Sequence, residues 1–159
     1  MGGFLLPIMF TSKQNLRKKI LKKRALLTTL EKKQKSSHII ENVVNSPAFK
    51  TAEHVAIYHA VGGEANPENL TFHEKRFYLP VLPSIRDQGL LFAPITDLTQ
   101  YKNNKFSIPE PIYNKDECIS PESLDLIVMP LVGFDLKGNR LGMGGGYYDR
   151  CFSFKKKTH

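Results

Sequence analysis

The sequence predicts an α/β fold with a mostly parallel central sheet that is covered on both faces. Its 159 residues suit a single domain. Helical patterns occupy residues 12–46, and short apolar runs rich in β-branched residues follow from residue 54. The most apolar run, residues 124–132, is continuous rather than alternating, which is typical of a central strand buried on both faces of a parallel sheet. Strands that alternate with helices indicate the α/β class.

Two helices are predicted before the first strand. Ser12 is a suitable N-cap for a helix over residues 12–33, and a second helix is expected over residues 34–46. The second helix ends before Pro47, because the residue that precedes a proline avoids the helical region. The residues expected to face inward are apolar and recur at helical spacing: Leu16, Ile20, Leu27, Leu30, Ile39, Ile40, Val43 and Val44.

Four strands are predicted from short apolar runs. They are expected at residues 54–60, 77–82, 90–93 and 124–132. Residues 67–75 predict a short helix with Leu70 and Phe72 inward. Residues 98–123 are polar and contain three prolines, so they are expected to be mostly loop.

The positive charge of the chain is concentrated in one segment. The chain has 23 lysines and arginines against 15 acidic residues, a net charge of +8, and residues 11–40 hold ten of the basic residues with one acid, Glu31. Such a segment could contact nucleic acid phosphates, bind a small anionic ligand through one or two cations, or form a solvated face. The absence of interleaved aromatic residues argues against nucleic acid.

The chain is expected to act in the cytoplasm without a membrane partner. Its two cysteines, Cys118 and Cys151, are far apart, which excludes a disulfide framework and favours a reducing compartment. Residues 1–11 are apolar but lack the basic start and the cleavage site of a signal peptide, so they are interpreted as an N-terminal leader. No apolar run reaches the roughly 18 residues of a membrane span.

A glycine-rich segment after the last predicted strand is the strongest functional signal. Gly142, Gly144, Gly145 and Gly146 precede a helix predicted from Tyr147. Glycines in this position let backbone N–H groups approach a phosphate, and the helix N-terminus adds partial positive charge. The segment does not match the Walker A pattern or the dinucleotide pattern. The alternative is a tight turn without a ligand.

Two acidic residues follow strands or glycines. Asp149 could hold Mg²⁺ between the protein and a phosphate, or could simply favour the first turn of its helix. Glu64 follows the first predicted strand after two glycines, where a carboxylate can accept hydrogen bonds from the amino groups of a heterocycle. A loop glutamate without a ligand is the alternative.

Four segments in order resemble the 5-formyltetrahydrofolate cyclo-ligase family. They are residues 13–17, the strand at 55–59 leading into Glu64, residues 107–111 with 124–130, and the segment 133–150. The resemblance implies a three-layer α/β/α fold in a domain over residues 12–159 that lacks the C-terminal part of the family. It also implies a monomer that closes 5-formyltetrahydrofolate to 5,10-methenyltetrahydrofolate, using ATP and Mg²⁺ and releasing ADP and phosphate.

The resemblance also implies roles for individual residues. Arg140 and Tyr148 are expected to be catalytic, Asp149 to bind the metal, and His59, Glu64 and Tyr148 to bind the folate. The residues expected at ATP are Lys13, Gln14, Asn15, Leu16, Arg17, Arg140, Leu141, Gly142, Met143, Gly144, Gly145, Gly146, Tyr147 and Tyr148. Met143 departs from the pattern, since many relatives have arginine there. The short sequence after Glu64 also departs, as Ala65-Asn66-Pro67 replaces the family's usual run.

Overall fold

The structure is a computed structural model that describes residues 12–83 and 89–152. The expected leader, residues 1–11, lies outside the described residues. The α-helices are α1 Lys13–Ala25, α2 Thr29–Asn45, α3 Pro47–Thr51 and α4 Tyr147–Cys151, and the 3₁₀ helices are Glu68–Phe72, Lys115–Glu117 and Pro121–Ser123. The strands are β1 His54–Ala56, β2 Arg76–Val81, β3 Leu91–Ile95, β4 Tyr101–Asn103, β5 Pro109–Pro111, β6 Leu126–Ile127, β7 Gly133–Phe134 and β8 Arg140–Leu141.

The central sheet has four strands in the order β3-β2-β1-β6. β1 pairs in parallel with β2 and with β6, whereas β2 and β3 pair antiparallel. In the β1–β6 pair, Val55 is opposite Leu126 and Ala56 is opposite Ile127. The predicted mixed α/β class with a mostly parallel sheet is therefore confirmed.

Alternating side chains of the strands build a core on each face of the sheet. On one face, Val55 and Phe77 belong to a buried cluster against which Val43 of α2 packs, and Phe49 of α3 is part of it. On the other face, Ala56 and Tyr78 join a second cluster that includes Cys151 of α4. Helices thus cover both faces, and the arrangement is α/β/α.

The boundary between the first two helices was predicted in the wrong place. α1 ends at Ala25 and α2 begins at Thr29. The Thr28 side chain accepts a hydrogen bond from the Glu31 N–H, and the Glu31 carboxylate accepts one from the Thr28 N–H, which completes a capping box. The break falls here because the box satisfies N–H groups that a continuous helix would otherwise bond internally.

Several residues predicted to face inward are exposed. Phe72 is 83% exposed, whereas Leu70 in the same 3₁₀ helix is fully buried. Three residues spaced along the first two helices are also exposed: Leu16, Leu30 and Ile39. The inward face of α1 is not apolar, because arginines occupy most of it, as described below.

The predictions for the second half of the chain need two corrections. The apolar run 124–132 forms only the two-residue strand β6, which lies at the edge of the described sheet and is half-buried rather than central and fully buried. The proline-containing segment 98–123 includes the antiparallel hairpin β4–β5, in addition to loops and two 3₁₀ helices. Prolines at both ends of β5 are tolerated because this pair has open edges.

No helix within residues 12–83 and 89–152 combines the length and the apolarity needed to cross a bilayer.

Candidate active site

α1 is held against the glycine-rich segment by one face of the helix. Arg17 Nε donates to the carbonyl oxygen of Gly142 (2.6 Å), and Arg24 Nη2 donates to the carbonyl oxygens of Leu131 (2.7 Å) and Val132 (3.0 Å). Between them, Ile20 approaches so closely that a Cβ on Gly133 would lie 2.9 Å from its Cδ1. Residues 17, 20 and 24 lie on one face of α1. Because α1 has no buried residues, mainly polar contacts hold it in place.

The glycine segment adopts backbone conformations that require glycine at two positions. Gly144 has φ +103° and Gly146 has φ +68°, both in the left-handed region that side chains disfavour. Gly146 is also the N-cap residue of α4. Arg17 lies beside this segment, since a Cβ on Gly144 would be 3.7 Å from its guanidinium carbon. A cation and a glycine turn are therefore adjacent, as phosphate binding requires.

Glu64 lies in a tight turn after β1. Gly62 and Gly63 have φ +58° and +79°, and Val61 donates its N–H to Glu64 Oε2 (3.1 Å). The side chain is half-buried, and burial raises the pKa of this carboxyl, while the Val61 hydrogen bond and the Arg24 charge act in the opposite direction. The carboxylate is thus shielded from water and retains acceptor capacity for a ligand.

Two tyrosines lie close to Glu64. Tyr58 donates its hydroxyl hydrogen to the carbonyl oxygen of Ala65 (2.7 Å), and burial together with the Glu64 charge raises its pKa to about 12. Burial also raises the pKa of Tyr148 in α4, with further contributions from Cys151, Tyr58 and Glu64. Both hydroxyls therefore remain protonated at neutral pH and can act as hydrogen-bond donors.

The β4–β5 hairpin contacts both sides of this region. Tyr101 of β4 meets the ring of His59 edge-on, with 5.4 Å between the ring centroids. At the turn of the hairpin, Phe106 meets Tyr147 edge-on at 6.2 Å. His59 Nε2 is buried without a hydrogen-bond partner, and burial lowers the pKa of this histidine, which favours the neutral ring. An unpaired buried nitrogen of this kind is available to a ligand.

The structure brings some of the predicted site residues together. Arg17 meets the glycine segment, and the Glu64 charge is among the causes that raise the pKa of Tyr148. The hydrogen bond of Arg140 goes to Met129 Sδ (3.0 Å). Six other predicted site residues have solvent-exposed side chains: Lys13, Gln14, Asn15, Leu16, Met143 and Asp149.

Asp149 is the carboxylate closest in sequence to the glycine segment. Within residues 12–83 and 89–152, no group of three His, Cys, Asp or Glu side chains could hold an ion. Asp149 stands in the first turn of α4, three residues after Gly146. This donor set does not form a protein-only cage, but it fits Mg²⁺, which commonly takes one or two carboxylates and completes its shell with phosphate oxygens and water.

Two residues of this region are not among the site residues predicted from the sequence. Arg24 contacts the end of the segment that follows β6 and influences Glu64, and Tyr58 lies beside Glu64. Nothing distinguishes Arg24 among the ten basic residues of 11–40 except its spacing of seven, two helical turns, from Arg17. Tyr58 resembles an ordinary aromatic residue at the end of a strand.

Comparison with protein-family models matches residues 9–159 to the description "5-formyltetrahydrofolate cyclo-ligase family". The chain belongs to this family. It is therefore an enzyme of the ligase class that acts in folate metabolism, as the four sequence segments predicted.

Curated relatives and solved structures agree with this assignment. The chain is 38% identical to the 5-formyltetrahydrofolate cyclo-ligase of Haemophilus influenzae over 142 residues, which cover 87% of this chain and 76% of the relative. It is 33% identical to the Escherichia coli K12 enzyme of the same name, over 82% of this chain and 74% of the relative. The NMR structure of Aquifex aeolicus 5,10-methenyltetrahydrofolate synthetase superimposes with a TM-score of 0.76 at 35% identity, covering 88% of this chain and 71% of that one.

Proposed function

We propose that this protein closes 5-formyltetrahydrofolate to 5,10-methenyltetrahydrofolate, with consumption of ATP in the presence of Mg²⁺. The observation that carries the proposal is the position of two dissimilar sites at one edge of the sheet. The turn with Glu64 comes after β1, and the glycine segment comes after β6 by way of the β7–β8 hairpin, and β1 and β6 are parallel neighbours. Ligands of α/β sheets commonly bind outside the carboxyl ends of the strands.

The proposed reaction has two steps that balance without a protein nucleophile. The γ-phosphoryl group of ATP is transferred to the formyl oxygen, and ADP is released. The N10 lone pair of the folate then attacks the activated formyl carbon, N10 gives up its proton to the departing phosphate, and the carbon–oxygen bond breaks as inorganic phosphate leaves. The protein contributes orientation and charge neutralisation, which dominate catalysis of phosphoryl transfer.

In this proposal, the glycine segment and the first helix bind ATP. Arg17 is held within reach of the segment by its hydrogen bond to Gly142, and Lys13 stands one helical turn before it on the same face. Both cations contact phosphate oxygens, together with N–H groups of the segment and Arg140. Asp149 would hold Mg²⁺, which when bound neutralises phosphate charge.

The folate binds on the side of Glu64. The carboxylate accepts hydrogen bonds from amino groups of the pterin ring, and His59 lines the same region with its unpaired Nε2. Tyr148, whose hydroxyl remains protonated, donates toward the formyl group. We assign this role to the tyrosine because it belongs to the helix that follows the glycines and its pKa responds to the Glu64 charge.

The test is to follow the absorbance of the methenyl product with 5-formyltetrahydrofolate, ATP and Mg²⁺. Product is expected only when all three are present, and chelation of Mg²⁺ should abolish its formation. ATP binding without product would reduce the assignment to nucleotide binding. In addition, Arg140→Ala should weaken ATP binding much more than folate binding, and equal losses of both would contradict the role given to Arg140.

A further inference from the structure

Arg24 lies between the two halves of the site. Its Nη2 donates to the carbonyl oxygens of Leu131 and Val132, in the segment that runs from β6 towards the glycines. Its side-chain stem lies against the other half, because a Cβ on Gly63 would be 3.6 Å from Arg24 Cγ. A single side chain of α1 therefore touches both segments that leave the parallel pair β1–β6.

The chemistry of arginine suits this position. The guanidinium is planar, stays charged at all physiological pH values, and offers five N–H donors in a fixed arrangement. Nη2 makes both contacts to main-chain carbonyls, and because its hydrogens lie in the guanidinium plane, these contacts orient that plane. Lysine could supply the charge, but its donors rotate on a flexible stem and fix no plane.

We propose that Arg24 is a positioning residue that holds the Glu64 turn and residues Leu131 and Val132 at a fixed separation, so that the folate and ATP meet in one orientation. The link to the glycine segment is Val132, whose N–H donates to the carbonyl oxygen of Leu141 (2.8 Å), directly before Gly142. The kinetic part of this inference rests on the proposed function. The structural part, which is the electrostatic coupling of Arg24 to Glu64, does not rest on the proposed function.

The charged and titratable groups around Glu64 come from four elements. Arg24 belongs to α1, and Lys32 of α2 has its Nζ 3.6 Å from the Cβ position of Gly63. Tyr58 follows β1 and Tyr148 belongs to α4. Burial raises the pKa of Glu64, and the Arg24 charge opposes that rise. Loss of Arg24 should therefore raise the pKa of Glu64 further.

The experiment compares three variants. Arg24→Gln removes the charge and the guanidinium donor, and Arg24→Lys keeps the charge without the planar guanidinium. Lys23→Gln, at an exposed neighbour in the same last turn of α1, matches the change in net charge and in the helix C-terminal charge. The titration of the Glu64 side-chain carboxyl carbon is followed by NMR in the ligand-free protein, and kcat and KM are measured for both substrates.

For Arg24→Gln, the Glu64 midpoint should move to higher pH, and kcat should fall at least about tenfold because the reacting groups are misaligned. Arg24→Lys should leave the midpoint near that of the parent protein while kcat still falls, and Lys23→Gln should change neither. An unchanged midpoint in Arg24→Gln, or kcat losses equal to those of Lys23→Gln, would overturn the proposal. If Arg24→Gln does not fold, Arg24→Lys decides it, since parental kcat in that variant also overturns it. Because the titration needs no substrate, a failure of the cyclo-ligase assay in the parent protein remains distinguishable from a failure of the inference about Arg24.

Discussion

Arg17 Nε donates a 2.6 Å hydrogen bond to the carbonyl oxygen of Gly142, across a separation of 125 residues in the chain. This contact joins the first helix to the glycine segment near the other end of the described chain. The same guanidinium lies beside Gly144, whose φ of +103° is accessible chiefly to glycine. The conformation of the segment and the position of the cation therefore depend on each other.

Replacement of Arg17 should weaken ATP binding. Arg17→Ala removes both the proposed phosphate contact and the hydrogen bond to Gly142, so the Kd for ATP should rise at least about tenfold, as expected for a hydrogen bond to a charged group. Lys18→Ala is the matched control, because Lys18 is an exposed cation next in sequence. Titration calorimetry of both variants measures the difference. Similar Kd values would show that only the overall charge of α1 matters.

Two glycines of the segment should respond differently to alanine. Gly144→Ala places a Cβ at a φ of +103°, which strains the backbone, whereas Gly142 has open space around its Cβ position and no such φ. We expect Gly144→Ala to lower ATP affinity and the melting temperature, and Gly142→Ala to change both only slightly. Thermal unfolding with and without ATP separates the two effects. Equal behaviour of the variants would contradict the backbone conformation described for Gly144.

Leu70 and Phe72 provide a test of the core. Leu70 is fully buried in the cluster beneath α2 and α3, and Leu70→Ala should lower the free energy of unfolding by about 2–5 kcal/mol. Phe72 is 83% exposed in the same 3₁₀ helix, so Phe72→Ala should change it by less than about 0.5 kcal/mol. Urea unfolding measures both. A larger loss for Phe72→Ala would mean that this aromatic ring is covered in solution.

Asp125 should make stability depend on pH at the acidic end. Its Oδ2 accepts N–H bonds from Glu53 (3.0 Å) and His54 (2.8 Å) at the start of β1, and these bonds hold the pKa of the carboxyl below its usual 3.8. Because the folded pKa is lowered, the stabilisation is present above pH 3.8 and is lost as the pH falls through the folded value.

The melting temperature of Asp125→Asn should therefore lie below that of the parent protein at pH 6, and the two should converge toward pH 3. Asp116→Asn, an exposed aspartate in the 3₁₀ helix Lys115–Glu117, is the control and should follow the parent curve. A difference between Asp125→Asn and the parent protein that does not shrink with pH would exclude the ionised carboxylate as its cause.

The ionised Glu64 side chain should lower the stability of the fold and should be needed for folate binding. Burial raises its pKa above the usual 4.5, so the ionised side chain destabilises the fold above the folded pKa, and this cost disappears as the pH falls below 4.5. Glu64→Gln keeps an acceptor for the Val61 N–H but removes the charge. We expect an equal or higher melting temperature at pH 8, no difference at pH 4, and loss of folate binding. A lower melting temperature at every pH would indicate that Glu64 is chiefly structural.

Local patterns were sufficient for much of the fold, and they failed where tertiary contacts decide. The positions of β1, β2 and β3 and the glycine segment were predicted because apolar runs and glycines carry a local signal. The boundary near Thr28 was misplaced, although the capping box Thr28–Glu31 was visible in the sequence. Phe72 was assigned to the core because spacing alone does not show which face of a short helix is covered.

The sequence by itself determined the α/β class, the family and the segments from which a site would be assembled, since these depend on composition, order and motif. The tertiary structure alone decided how the segments meet. β1 and β6 pair in parallel, the glycine segment follows β6 through the β7–β8 hairpin, and the face of α1 with Arg17 and Arg24 connects this segment to the Glu64 turn. The physical reason is that the hydrogen-bond partners of these arginines are main-chain carbonyl groups more than 100 residues away. The sequence around an arginine on a highly basic helix therefore does not indicate what the arginine binds.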